Sequence, residues 1–171
     1  IMLAGNLWFP IMVGIGGVLF FVTPMVAQLY GARNLKEIGP LARQAIWLSI
    51  PIVLFGMFVL SQASWILTVA KVDPDIIFYS EEYLSYFIFA LPAILLSQPL
   101  RSLCEGVTKP LPITLLNILM LLIAIVANYT FIYGNFGFPE MGARGAGLSA
   151  IIGTWTSFII LIVYLRFKSA Y

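Results

Sequence analysis

Uncharged stretches recur five times along the chain, over residues 1–32, 44–70, 83–100, 110–139 and 145–165, and charge is confined to the short segments between them. A helix needs about 20 apolar residues to cross a bilayer, and each stretch is close to that length or beyond it. A soluble core would wrap such segments in polar helix faces, which these lack. The pattern predicts an all-α integral membrane protein with five transmembrane helices, over about 3–31, 42–70, 80–106, 110–134 and 144–167.

Composition agrees. Hydrophobic residues make up 61% of the 171 positions and charged ones 9%, against roughly 25% charged in a soluble domain. The net charge of +2 comes from dispersed bases, with no tract suited to nucleic acid. Cys104 is the single cysteine and there is no histidine, which excludes an intrachain disulfide, a Cys/His metal site and the common Ser/His or Cys/His catalysis. No catalytic residue, metal ligand or cofactor site is expected, and an enzyme is disfavoured. The chain opens at Ile1 within an apolar run, with no charged n-region and no small-residue cleavage site. It therefore reads as a segment of a longer polypeptide.

Charge in the loops sets a topology. Arg33, Lys36 and Arg43 lie in the first loop, Arg101 and Lys109 in the third, and Arg166 and Lys168 in the tail. The second and fourth loops hold only Lys71 and Arg144 as bases, with Asp73, Asp75, Glu81, Glu82 and Glu140. Short basic loops stay cytoplasmic, so 33–43, 101–109 and 166–171 are placed inside. Five helices with the first end outside call for one more upstream helix, which would complete a six-helix unit of the kind paired in transporters.

Aromatic residues gather at the expected interfaces, among them Trp8, Phe78, Tyr83, Tyr133 and Phe167. Five prolines, Pro10, Pro24, Pro51, Pro92 and Pro99, fall inside spans and predict bent, closely packed helices. Two glycine groups, Gly14, Gly16 and Gly17, then Gly142, Gly145 and Gly147, predict close helix approach. No acid or base lies deep in any run, so a coupling carboxylate is not expected within this segment. Neutral amides remain. Asn117 and Asn128 are eleven residues apart, close to three helical turns, and share a face with Thr114. Gln28 and Gln98 supply amides on other helices.

Four segments carry a family resemblance: 24–33 (PMVAQLYGAR), 100–110 (LRSLCEGVTKP), 128–134 (NYTFIYG) and 142–147 (GARGAG). In this order and spacing the chain resembles a multidrug and toxic compound extrusion transporter of the bacterial sodium- or proton-driven type. The resemblance implies twelve helices in two six-helix lobes, the five spans here being the second to sixth of the N-terminal lobe. The first helix and the C-terminal lobe of the same chain are then its missing partners, together with the lipid bilayer of a bacterial inner membrane and small lipophilic or cationic drugs. It implies no cofactor beyond a coupling Na⁺ or H⁺ whose site falls outside this segment. Asn128 matches a polar position of the fifth helix that is Asp in some members. Ala124 stands where many have Asn, and Ser149 lies near a hydroxyl position of the sixth helix. Asn128, Asn117, Gln98, Gln28 and Ser149 are the candidates for a substrate or ion cleft. Arg101, Glu105, Gly106 and Lys109 are candidates for a loop or hinge. The alternatives are a lipid-linked oligosaccharide flippase of related architecture, which calls for bases in the cleft, and a non-transport structural membrane subunit.

Overall fold

The computed structural model describes residues 13–14, 16–62, 65, 68, 74–107, 111–134 and 139–168. Its helices are α1 (Val22–Gly31), α2 (Ile38–Ser61), α3 (Pro74–Phe87), α4 (Leu91–Gly106), α5 (Leu111–Phe131) and α6 (Gly142–Lys168), with no strand among the described residues. Helical backbone already precedes α1 from Gly16. The earlier part of the expected first span, with Trp8 and Pro10, lies outside the described residues. Three helices are long and apolar enough to cross a membrane, and the bent pair α3 and α4 passes the same test together, making a fourth where the pair is one span. Only 28%, 22% and 28% of the three long apolar windows are buried within the chain. Stripes such as Trp47, Leu54 and Phe58 on α2, and Leu115, Leu122 and Val126 on α5, are left exposed. Such surface is at home in hydrocarbon, and the chain is a multi-pass, all-α membrane protein.

The turn between α1 and α2 is closed by backbone alone. Asn34 N–H donates to the Leu29 carbonyl and Arg33 N–H to the Tyr30 carbonyl, the two bonds of a Schellman ending. Arg33 occupies the left-handed position at φ 58°, where glycine is usual.

The third expected span is not one straight helix. Pro92 falls in the first turn of α4 and brings no N–H, so the Ile88 carbonyl loses its helical donor. Ahead of it the backbone tightens, with Phe89 N–H donating to Tyr86 and Ala90 N–H to Phe87. The two helices meet at 52°. Pro51 and Pro99, by contrast, sit inside α2 and α4 without ending them.

Helix α4 is the hub, packing on α1, α2, α5 and α6, while α3 packs on α6. One core cluster joins Leu19, Val53, Leu84, Phe87, Leu91 and Leu95 around the bend. A second joins Val22, Val26, Ile38, Ala45 and Val107. A third joins Cys104, Ile113, Leu116 and Leu161. Tyr83, expected at an interface belt, is instead half-buried and stacked on Phe87 with ring centroids 5.3 Å apart.

The glycines divide. A Cβ on Gly106 would lie 2.6 Å from Cγ1 of Val26, and one on Gly147 would lie 2.6 Å from Cβ of Tyr86. Gly14 and Gly17, expected to allow close packing, have no atom of the described residues within 4 Å of an added Cβ, and neither does Gly142. Hydroxyls inside the helices are mostly satisfied by their own backbone: Ser49 donates to Ala45, Thr130 to Val126 and Thr154 to Ala150. At one end of the bundle, Arg144 of α6 pairs with Glu82 of α3 at 2.7 Å, but Arg144 is 53% exposed. Glu82→Gln is therefore expected to cost less than about 1 kcal/mol, and less still in high salt, read from thermal melting of the full-length protein in detergent.

Candidate functional site

The faces of α4 are set by what they touch. Leu95, Ser102 and Gly106 turn toward α1: Leu95 lies by Gly16, Gly106 by Val26, and the Thr23 hydroxyl donates to the Ser102 hydroxyl at 2.9 Å. Cys104 turns toward α5 and α6. At 100° per residue, Gln98, Arg101 and Glu105 then share a stripe between these two sides. Gln98 and Arg101 are half-buried there and Glu105 is exposed.

Arg101 is the centre of this stripe. Nη1 donates to Oδ1 of Asn117 on α5 at 2.9 Å, and Nη2 to the Ser157 hydroxyl on α6 at 3.2 Å. One guanidinium thus ties three helices together. Among the described residues no carboxylate lies within ion-pair distance of it. A planar fork with several N–H groups suits such bridging better than a single ammonium.

Arg101, Glu105 and Gly106, the loop or hinge candidates, lie in the last turns of helix α4, within the expected span to about 106 and past the uncharged stretch that ends at residue 100. Lys109 lies outside the described residues. Arg101, just past the uncharged stretch, is half-buried between helices.

The expected cleft residues are only partly brought together. Asn117 joins Arg101, and Gln98 lies one turn before it on the same stripe. Asn128, three turns along α5 from Asn117, is half-buried on the same side of that helix. Gln28 is exposed on α1. Ser149 is buried, and its hydroxyl donates to the Gly145 carbonyl of its own helix at 2.8 Å. Ser157 and Trp155 were not singled out from the sequence. Ser157 carried a signal: Gly145, Ser149, Gly153 and Ser157 place a small residue at every fourth position, and all four are buried. Such spacing marks the packed face of a membrane helix.

No group of three or more acidic, Cys or His side chains able to hold a metal occurs among the described residues. The arrangement can lend amide and guanidinium groups to a polar guest, and can hold α4, α5 and α6 together as one unit.

A family model, MatE, matches residues 1–130. The chain is 33% identical, over 166 residues, to a protein of Shewanella oneidensis described as probable multidrug resistance protein NorM. The alignment covers 97% of this chain and 36% of that protein, so the chain spans about a third of the length of its relative. With a family model over most of its length and this degree of identity, the chain belongs to the multidrug and toxic compound extrusion family of transporters.

Proposed function

We propose that the full-length protein exports lipophilic or cationic compounds by antiport against Na⁺ or H⁺ across a bacterial inner membrane. The chain is a transporter segment rather than an enzyme. Residues 33–43, 101–109 and 166–171 face the cytoplasm in this reading, and the remaining helices of the full-length chain complete the two lobes. The observation that carries it is the polar stripe Gln98–Arg101–Asn117 on helices that are otherwise apolar, in a chain of this family. Arg101 stands at the cytoplasmic end of its span in this reading, and polar groups held between membrane helices mark a pathway by default. The ligand moves the lobes by binding one state better than the other.

The coupling-ion site belongs to the part of the full-length protein beyond these 171 residues. Ethidium or norfloxacin efflux from cells lacking their own pumps tests the proposal, with Na⁺ and pH gradients collapsed in turn. Loss of efflux under one collapse names the ion. Efflux that persists under both sinks the antiport reading. Asn128→Ala, made in the full-length protein, is expected to lower efflux about five- to tenfold at normal expression, the size of one lost hydrogen bond to a guest. Unchanged efflux returns Asn128 to helix packing.

One observation favours a second reading, a flippase for lipid-linked oligosaccharide. Arg101 is a half-buried guanidinium with neutral partners, and a phosphate-bearing cargo suits such a group. Cargo carrying pyrophosphate calls for several such bases, and Arg101 is the single half-buried Arg or Lys among the residues whose burial is described.

A further inference from the structure

The two halves of the bent span have different partners. Helix α3 and the turn that follows it are fastened to α6 at three successive levels: Glu82 pairs with Arg144, Tyr86 lies over Gly147, and past the end of α3 the Phe89 carbonyl accepts the indole N–H of Trp155 at 2.9 Å. Helix α4 is fastened to α1, through Ser102 and Thr23, Gly106 and Val26, and Leu95 and Gly16. Between them lie residues 88–90. Pro92 deprives the Ile88 carbonyl of its donor, and regular bonding resumes at Ile94, whose N–H reaches the Ala90 carbonyl at 3.1 Å. The Trp155 ring is braced edge-on by Phe158, with centroids 5.9 Å apart.

We propose that residues 88–90 are a hinge within a membrane span, and that Trp155 is a positioning residue that sets the hinge angle and through it the rate of the transport cycle. A freed backbone carbonyl in hydrocarbon must find a donor. At the bend it is the adjacent Phe89 carbonyl that takes a donor from α6, the indole N–H of Trp155, so the bend and the position of α6 are coupled. When the helices of the lobe rock, α3 and the Phe89 carbonyl follow α6, while α4 is held by α1 along its length as well as by Arg101 to α5 and α6, and the three residues between them absorb the difference. Hinges of this kind are short stretches at the ends of elements. The transport half of the proposal rests on the export reading above. The hinge half does not.

The test uses the full-length transporter in bilayers, with Cys104→Ala and nitroxide labels at Phe78→Cys on α3 and Glu105→Cys on α4. Straightening the 52° bend lengthens the spacing of these positions by roughly 4 Å at a ~1.5 Å rise per residue. Trp155→Phe keeps the ring and removes the donor. It is expected to broaden and lengthen the measured distance, and to lower efflux turnover about three- to tenfold with KM unchanged, the scale of one interhelical hydrogen bond. Trp155→His restores an N–H and recovers part of both. Pro92→Ala returns the missing amide and shifts the distance in the lengthening direction independently of Trp155. Distances identical to the parent in Trp155→Phe and Pro92→Ala overturn the hinge. Lengthened distances with unchanged turnover overturn the role in the cycle. A parent protein that exports nothing counts against the export reading alone, because the distances still decide the hinge.

Discussion

Gly145→Ala is expected to destabilise the full-length protein by about 1–3 kcal/mol or more, the range for forcing atoms into a packed site. The added Cβ would run into the Phe131 carbonyl oxygen, with the carbonyl carbon at 2.6 Å and the Ile132 nitrogen at 3.0 Å. All three are backbone atoms at the end of α5, so no side chain can swing aside. The same carbonyl accepts the Met141 N–H at 3.1 Å, which closes the connection between α5 and α6. Moving it disturbs that closure as well. Gly17→Ala is the control, since no atom of the described residues lies within 4 Å of its added Cβ and alanine favours a helix by up to about 1 kcal/mol. Thermal melting in detergent, followed by size-exclusion recovery, separates the two. Equal melting would mean that α5 and α6 do not approach as closely as the structure has them.

The number and placement of apolar helices were legible because hydrocarbon demands length and lack of charge, and both are read directly from a sequence. The bend was not. The uncharged stretch runs through residues 83–100 without interruption, and Pro92 looks no different from Pro51 or Pro99. What separates them is tertiary: Pro92 stands at a point where α6 offers an indole to the neighbouring carbonyl, while α2 and α4 continue through Pro51 and Pro99. Whether a helix breaks at a proline depends on what receives the backbone around it, and that partner can lie 66 residues away.

The candidate site was legible in kind but not in arrangement. Asn117 and Asn128 share a side of α5 by periodicity alone, and the structure adds that Asn117 is engaged by Arg101. Arg101 itself was hidden by its place at the edge of an uncharged run, where a base reads as part of a loop. Whether a residue at that edge faces water or its own bundle depends on how far the helix continues, and α4 continues to Gly106. Small residues such as Ser157 leave room for the long side chain, a complementarity that exists only between helices.

Arg101→Ala is expected to separate stability from transport. Its two interhelical bonds contribute about 0.6 kcal/mol each by the average for membrane helices. Against that stands the cost of holding a charge between helices, about 2.5–3.5 kcal/mol at a bilayer centre and less toward its edge. Removing the whole charged group removes the penalty along with the bonds, so melting is expected to stay level or rise. Efflux, in contrast, is expected to fall at least tenfold. A lobe that rocks as a body needs α4, α5 and α6 to move together, and Arg101 is the side chain that bonds to both neighbours. Arg101→Lys is expected to recover only part of the loss, because a compact ammonium cannot reproduce the planar fork between Asn117 and Ser157. Asn117→Ala removes one of the two bonds while keeping the charge, and is expected to melt earlier than Arg101→Ala, since it leaves the guanidinium less well satisfied. Melting that falls with Arg101→Ala by more than with Asn117→Ala reverses this order. Arg101 would then be a structural clasp first, and its part in moving cargo would have to be argued from the other side chains of the stripe.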